Sequence, residues 1–570
     1  MVGSLLTLPS ELLIACLVHV PAHTLRTCLR VGNRILSTTI LTSPELLFVL
    51  ELADAGLTEA LLHPAIGGAV IERRAALHAR ERRWRTFALL NKFEVGSTLD
   101  AQDIQLWDSD GDWFAVALKG MGDVFVALYV VRTRLADGAG SAEVPLPTWR
   151  MVEIPDALVG FMLVSELDLV MLVTISPDPK EAARQLIQIH SMRLSVDGPH
   201  PAQLQPIEVT SIPTSYGPPK VHIELSGSTL CVAVSCFWHT QAESVNRVHL
   251  FEWPSGQRLN DSFEQFLTAF VLVNPTLFLQ VNASFHCLDT LLMKPNEEAV
   301  WIAAFILPWR DIKKTHEIYW TSLMTRGQAH AGSLPSELGV QTTDRQRQFV
   351  PDTRPEQSMF LMLFQTGESA RDANGGQRFS GLQTLVFVDR AKFTEVFEEI
   401  LPNAPDVDED GDTVLTDVPF EKWGPRCSRW IETHEFPESA ATGFCGRRFV
   451  YMAEREEGKE GRRVVLLDFN PSTIRWARRL LADQAGGSLS RTAQLENAMV
   501  RLVDADDAAG TSLQHSAFTE PIVSELAYVE ITSTERFDWE GVHMNGASVI
   551  GEKVDDSEDE WRLLEILHLG

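Results

Sequence analysis

Cysteine and long apolar runs are both scarce in this sequence. Seven cysteines are scattered through 570 residues, without the close pairing of disulfide frameworks and zinc sites. The most apolar internal stretch, 158–175, is interrupted by Glu166 and Asp168, and residues 1–13 lack the basic segment of a secretory signal. These absences predict reduced thiols, no membrane partner and a location in the cytoplasm, the nucleus or both.

Positive charge is also in short supply. The chain has 49 Lys and Arg against 77 Asp and Glu, a net charge of −28, which argues against nucleic acid or an anionic membrane as the main partner. The deficit is uneven: residues 1–92 hold 10 basic and 7 acidic residues, a net of +3, so the remainder carries −31. Two chemically different regions are therefore expected.

Motifs of catalysis are missing as well. The sequence has no Gly-x-Ser-x-Gly, no His-Glu-x-x-His, no phosphate-binding loop and no dinucleotide fingerprint. His434-Glu435 lacks its second histidine, and the sixteen histidines are scattered. We therefore predict no catalytic residue, no cofactor and no enzymatic activity.

One acidic stretch has the spacing of a calcium loop. Asp406, Asp408 and Asp410 alternate before Gly411, and Asp417 stands near the end of the loop. The flanking prolines interrupt the helices that such a loop needs, so the pattern favours a solvated acidic loop. No metal site is predicted.

The first forty residues predict two short helices. Pro9 and Ser10 stand at a helix start, apolar residues follow at helical spacing, and Pro21 ends the first helix. A second amphipathic stretch places Leu25 and Leu29 on its apolar side. So short a pair cannot bury its own apolar surface, so the rest of the chain or a partner must cover it.

This segment resembles the F-box, a helical motif that binds the Skp-type adaptor of Skp-cullin-F-box ubiquitin ligases. The resemblance begins with Leu-Pro-x-Glu-Leu-Leu at residues 8–13 and continues at the family's spacing. It departs from the family at Cys16, where an aliphatic residue is common, and at 32–35, where Cys-Lys-x-Trp is common. The adaptor-binding residues that the resemblance implies are Leu8, Pro9, Leu12, Leu13, Leu17, Leu25, Leu29 and Val31. A larger helical domain with no adaptor is the alternative.

Residues 43–92 are interpreted as a helical linker. Ser43 and Pro44 mark a helix start, and 71–87 forms a basic helix with several arginines. We expect this helix to dock against the acidic remainder, since a nucleic-acid contact would need a groove-reading fold. This order of F-box, helical spacer and β-rich region resembles fungal F-box proteins.

Residues 93–570 have the pattern of a β-rich domain. Short apolar runs separated by polar turns predict antiparallel pairs, and Trp253 to Gly256 closes one pair as in a propeller blade. The predicted pairs are 113–118 with 124–131, 169–175 with 185–194, 229–237 with 247–253, and 449–452 with 463–469. A divergent β-propeller is the main expectation and a β-sandwich pair the alternative.

Together these patterns predict an α+β multidomain protein with three parts. The parts are the F-box motif at 1–42, the helical linker at 43–92 and the propeller-like domain at 93–570 with its acidic loops. The resemblance implies a non-catalytic substrate receptor that binds the Skp-type adaptor, a cullin through it, and a protein target. A non-catalytic interaction scaffold independent of ubiquitin is the alternative. No target-binding residue is predicted.

Overall fold

The structure is a computed structural model, and it describes most of the chain between residues 8 and 570. The described residues are 8–59, 68–100, 104–120, 124–134, 147–236, 245–261, 263–264, 270–282, 287–293, 297, 299–308, 316–324, 349–352, 357–371, 377–400, 416–433, 443–484, 491–504, 512–513, 518, 520–554 and 561–570. The acidic stretch at 406–411 and His434 lie outside these ranges.

Helices dominate the first 86 residues. They are, with one short strand, α1 Ser10–Leu17, α2 Ala22–Arg30, α3 Arg34–Thr42, α4 Pro44–Asp54, β1 Leu57–Glu59 and α5 Val70–Thr86. Pro9 and Pro21 immediately precede α1 and α2, so Pro21 begins a helix, and α1 already ends at Leu17. Ser43 caps α4 by accepting a hydrogen bond from the Leu46 N–H. No single described helix is long and apolar enough to cross a bilayer, although α3 and α4, bent by 79°, meet that test as a pair.

Strands take over from residue 91. The first group is β2 Asn91–Asp100, β3 Ile104–Asp110, β4 Trp113–Lys119, β5 Phe125–Arg132, β6 Arg150–Val152, β7 Ala157–Val164, β8 Leu169–Pro177, β9 Arg184–Arg193, β10 Ile207–Pro213, β11 Lys220–Ser226, β12 Thr229–Cys236, β13 Val245–Glu252, β14 Gln257–Arg258, β15 Phe263–Glu264, β16 Phe270–Asn274, β17 Leu277–Asn282, β18 Cys287–Leu292 and β19 Val300–Ile306. Short 3₁₀ turns cover Ser165–Leu167 and Thr214–Tyr216.

The second group of strands contains three helices. In order they are β20 His316–Met324, β21 Phe349–Pro351, β22 Met359–Arg371, β23 Gln377–Asp389, α6 Arg390–Ile400, β24 Thr416–Val418, α7 Phe420–Cys427, β25 Ser428–Thr433, β26 Phe444–Cys445, β27 Arg448–Met452, β28 Arg462–Asp468, α8 Pro471–Gln484, β29 Thr492–Gln494, β30 Ala498–Val503, β31 Ser512–Leu513, β32 Ile522–Val523, β33 Tyr528–Phe537, β34 Gly541–Met544, β35 Ser548–Val554 and β36 Trp561–His568. The sequence analysis did not predict α6, α7 or α8.

The strands form sheets of neighbours in sequence, in a propeller-like arrangement. The sheet orders are β10-β9-β8-β7-β5-β4-β3 with β6 on β5, β11-β12-β13-β14 with β15 on β13, β16-β17-β18-β19-β24, β20-β22-β23-β25, β26-β27-β28-β33-β30-β29 and β2-β36-β35-β34. The four predicted pairs are confirmed as β4 with β5, β8 with β9, β12 with β13, and β27 with β28. A small helical N-terminus before a large β-rich region is therefore confirmed.

Two pairings join distant parts of the chain. Strand β2 pairs antiparallel with β36, so the first long strand of the β-rich region belongs to the same sheet as the last three. Strand β1, which follows α4, pairs with β21, and the Asp352 N–H donates to the Gly56 carbonyl in the same place. Both ends of the β-rich region, and the helices before it, are thus held by main-chain hydrogen bonds.

Buried apolar clusters lie between successive sheets. One cluster joins β2, β35 and β36 to β3, β4 and β5 through Phe93, Ile550 and Phe114. The next joins the two halves of the eight-stranded sheet, which otherwise meet at the single pair Phe125–Leu158. Each sheet therefore buries both of its faces against its neighbours.

Two carboxylates of β3 accept hydrogen bonds from backbone N–H groups of β7 and of the turn after it. Asp108 Oδ2 accepts the Leu163 N–H at 2.7 Å, and Asp110 Oδ2 accepts the Ser165 N–H at 2.7 Å. A strand at a sheet edge has N–H groups without a partner strand, and Asp108 and Asp110 provide the acceptors for two such groups. Asp108 and Asp110 thus belong to β3, and the turn to β4 is confined to Gly111 and Asp112.

The burial of His249 predicts that the folded protein loses stability at acidic pH. His249 is 1% exposed, and among the described residues neither ring nitrogen has a hydrogen-bond partner. Burial, with Arg258 and Arg247 adding to it, lowers the pKa of His249 to about 4, against about 6.5 in an unfolded chain. The stability from a neutral ring is present above about pH 6.5 and is lost as the pH falls towards 4, a loss of about 3 kcal/mol.

We therefore expect His249→Leu to lose about 3 kcal/mol less unfolding free energy than the wild type between pH 7 and pH 4. Urea unfolding at both pH values measures the difference. His23→Gln, which changes an exposed histidine, is the control and should follow the wild type. Equal pH dependence in H249L and wild type would contradict the prediction.

Candidate functional site

Half of the eight predicted adaptor-binding residues are exposed on the N-terminal helices. Leu8 is 37% exposed, Leu12 54% and Val31 70%, and Pro9 is also exposed. Large apolar side chains in solvent at this density are typical of interaction sites. These four residues can meet a partner without a change in the fold.

The exposed residues of the first helix share one side. Leu12 and Cys16 are four residues apart in α1, a spacing that places them on one side of the helix, and Cys16 is exposed. Leu8 and Pro9 are exposed immediately before the helix begins at Ser10. A second exposed pair, Val31 and Ile35, flanks the turn between α2 and α3. We name Leu8, Pro9, Leu12, Cys16, Val31 and Ile35 the docking residues.

The other predicted residues pack inside the helices. Leu13, Leu17 and Leu25 are buried in one cluster with Ile40 and Leu46. Leu29 packs against the same cluster and is half-buried. The side chains of Leu13, Leu17 and Leu25 are therefore covered by the chain's own helices. They hold α1 to α4 together beneath the docking residues.

The turn that carries Val31 and Ile35 has a defined shape. Gly32 has a φ of +74°, a left-handed conformation that glycine adopts readily and that ends α2. The Asn33 side chain then caps α3 by accepting from the Ile35 N–H at 3.0 Å and the Leu36 N–H at 3.2 Å. The departure from the family at 32–35 thus forms an ordered cap, and Ile35 stands exposed beside it.

Helix α5 attaches these helices to the β-rich region. Trp84 is fully buried in a cluster with apolar residues of β27, β28, β35 and β36. The guanidinium of Arg80 donates to the Gly546 carbonyl, and Arg83 Nε donates to the Leu569 carbonyl at 2.7 Å. The predicted docking of the basic helix on the remainder of the chain is therefore confirmed.

A buried ionic network lies at the centre of this attachment. Arg448 Nη2 donates to Glu81 Oε2 at 2.6 Å, and its Nε donates to Asp468 Oδ2 at 2.9 Å. Arg80 Nη1 donates to Glu81 Oε1 at 2.6 Å, and the Arg448 guanidinium lies 4.9 Å from the centre of the Trp84 ring. Burial opposes the charge of Arg448, but Asp468 and Glu81 together raise its pKa.

The sequence analysis missed this network. Arg80 and Glu81 were visible within a basic helix, but their partners lie more than 360 residues away in the chain. Charged residues are rarely fully buried unless they are paired. The signal available in the sequence was Trp84, a large aromatic residue. It stands four residues after Arg80 and three after Glu81, and so lies on the same side of the helix as these two charges.

The described residues offer no metal centre. No group of three or more His, Cys, Asp or Glu side chains within the described ranges could hold a metal ion. The calcium-like loop at 406–411 lies outside those ranges, and Asp417, at its end, stands exposed in β24.

Comparisons with known proteins give no family. No family model matches the chain, and no curated protein matches it. Among solved structures, an α-L-arabinofuranosidase from Fusarium graminearum in complex with an iminosugar inhibitor is 8% identical, with a TM-score of 0.28, and the match covers 84% of this chain and 98% of that one. A mutant of the same enzyme is 7% identical, with a TM-score of 0.27 and the same coverage.

These neighbours correct one prediction. From the sequence we expected a chain that is not an enzyme, whereas both matched structures are of an enzyme, an α-L-arabinofuranosidase. The expectation of a non-catalytic protein is therefore withdrawn. At this identity and TM-score the likeness assigns neither an activity nor a substrate to this chain.

Proposed function

We propose that the chain is a substrate-receptor subunit of a Skp-cullin-F-box ubiquitin ligase. The observation that carries the proposal is the exposure of Leu12 and Cys16 on one side of α1, and of Leu8 just before it, above a separate buried core. A helix with one apolar side in a core and another in solvent is suited to a helix-binding groove. The F-box resemblance names the occupant: the Skp-type adaptor, and through it a cullin.

We further propose that the β-rich region is a divergent propeller closed into a ring of seven sheets, with the two halves of the eight-stranded sheet counted separately. Support comes from the buried clusters, each of which joins one sheet to the next in chain order and the last sheet to the first. The Ser109 hydroxyl, at the end of β3, donates to the Met544 carbonyl at the end of β34 at 3.1 Å. Such a ring covers both faces of each sheet, keeps the remaining sheet edges short, and leaves loops free to bind a protein target.

The attachment of α5 would fix the distance between a bound adaptor and a bound target. An adaptor held by α1 to α3 and a target held by the ring would be kept at a fixed spacing, because Trp84 and the Glu81–Arg448 pair tie α5 to the ring. Holding a target lysine near a ubiquitin-loaded enzyme raises its effective concentration. A stiff connection therefore favours transfer.

The test is capture of a purified Skp-type adaptor by the full chain. We expect Leu12→Asp combined with Val31→Asp to weaken capture at least tenfold, because each change places a charge in an apolar contact. Ile71→Asp is the matched control. The exposed fraction of Ile71, 71%, is nearly the same as the 70% of Val31, but Ile71 lies at the start of α5. Biolayer interferometry with immobilised adaptor gives the three affinities.

The three affinities support or overturn the proposed adaptor contact. Weak binding by L12D/V31D with wild-type affinity in I71D supports the proposal. No binding by the wild type, or equal binding by all three chains, overturns it. Deletion of 1–42 is a poorer test, because it also removes Leu13, Leu17 and Leu25 and leaves Leu46 of α4 without its core.

A further inference from the structure

A charged cleft lies where the N-terminal helices meet the β-rich region. Its volume is ≈ 230 Å³, and its walls come from α4, α5 and α8. It is separate from the docking residues on α1 to α3. Both acidic and basic side chains line it, so its character depends on which charges are already paired.

The acidic side chains of the cleft are already paired. Arg74 donates to both oxygens of Glu51, at 2.9 and 2.6 Å. Asp54 accepts from Arg26 on Oδ1 at 2.5 Å and from Arg475 on Oδ2. The third carboxylate, Glu81, is held by Arg80 and Arg448 in the buried network.

Two arginines of the cleft are left with little compensation. The Arg85 side chain is only 17% exposed, and its nearest carboxylate, Glu81, is 3.9 Å away. Burial lowers the pKa of Arg85, with Glu81 opposing, as expected for a guanidinium without a close anion. Arg479 also lines the cleft, and within the described part of the chain it makes no ion pair.

One neutral donor belongs to a residue that lines the same cleft. The Ser472 hydroxyl oxygen is buried and has no hydrogen-bond partner among the described residues, and Ser472 lines the cleft. It stands in the first turn of α8, a helix of 14 residues, whose positive dipole end favours an anion. Arg85 is held over the Trp476 ring, 5.8 Å from its centre.

We propose that this cleft binds a phosphoryl group. Two guanidinium groups and the Ser472 hydroxyl can donate to the several oxygens of a tetrahedral anion, and the dipole of α8 favours its charge. The cleft can hold a group of that size, and a chain of net charge −28 needs such a local excess of arginine to take an anion. Because α5 and α8 both line the cleft, bound phosphate would also bridge the N-terminal helices and the β-rich region.

The test is titration of the full chain with inorganic pyrophosphate by isothermal calorimetry at constant ionic strength. We expect saturable binding with one site, and a Kd raised at least tenfold by Ser472→Ala combined with Arg479→Ala. Arg478→Ala is the matched control, because Arg478 lies next to Arg479 on α8 but pairs with Asp504 and does not line the cleft. R478A should bind within twofold of the wild type.

A second titration identifies the source of the phosphoryl group. A short phosphoserine peptide that binds more tightly than pyrophosphate assigns the cleft to a phosphorylated segment, and the reverse order assigns it to a small phosphate compound. The proposal is overturned if pyrophosphate shows no saturable binding, or if S472A/R479A and R478A weaken it equally. Thermal unfolding of each variant without ligand confirms that the fold is unchanged.

Discussion

Replacing Glu81 with Gln is expected to cost about 3–5 kcal/mol of unfolding free energy. The substitution keeps the shape of the side chain but removes the charge that Arg448 and Arg80 share. Both guanidinium groups are buried, and burial already lowers the pKa of Arg80 to about 10 despite Glu81. Without the negative charge, Arg80 has no ion pair among the described residues, and Asp468 alone must compensate the charge of Arg448.

Two measurements check this prediction. Urea unfolding followed by tryptophan fluorescence gives the free energy, and hydrogen–deuterium exchange in 70–86 reports on α5 itself. Glu72→Gln is the control, since Glu72 is an exposed residue of the same helix and should change stability by no more than about 1 kcal/mol. If E81Q exchanges in α5 no faster than the wild type, the network does not hold the helix.

The partners of the network also predict non-additivity. Once Glu81 is neutral, removing Arg448 as well takes away a charge that is poorly compensated. We therefore expect E81Q combined with Arg448→Met to lose less than the sum of the two single changes. Purely additive losses would assign the effect to packing around Trp84 instead of to charge.

Local signals in the sequence were sufficient for the hairpins and for the starts of α1, α4 and α5. Runs of β-formers separated by polar segments predicted the pairs of β4 with β5 and β12 with β13. Ser43 and Pro44 predicted the start of α4. In each of these cases the interactions that decide the structure lie within a few residues of one another.

Longer-range features were out of reach for the same physical reason. Strand β2 pairs with β36 across more than 450 residues, and no local pattern specifies that partner. Helix α6 had a usable signal, since Phe393, Val396 and Phe397 stand at helical spacing and pack into one core cluster. It was missed because the surrounding strands set the expectation for the whole region.

The candidate site shows the same limit on a finer scale. Leu12 and Leu13 are neighbours of identical chemistry, yet one is 54% exposed and the other 1%. A helix turns 100° per residue, so adjacent residues face different ways, but the direction of the core depends on where α3 and α4 pack. The eight residues carried over from the F-box resemblance therefore divide into a buried and an exposed set, which only the fold assigns.

That division predicts opposite outcomes for one chemical change at two positions. Leu25→Ala removes a fully buried side chain from the cluster that holds α1 to α4, at an expected cost of about 2–5 kcal/mol. Leu12→Ala removes an exposed side chain of the same size and should cost less than about 0.5 kcal/mol. Few fully buried residues form this cluster, so L25A should unfold the four helices locally while the β-rich region, with cores of its own, stays folded.

Hydrogen–deuterium exchange across 10–54 and across the β-rich region measures both effects in one experiment. L25A should lose protection in α1 to α4 alone and lose adaptor capture because the docking residues are no longer held together. L12A should keep its protection and weaken capture through the lost contact. Equal exchange in the two variants would mean that the helical core is not where the structure places it, since burial is the one property in which these two leucines differ.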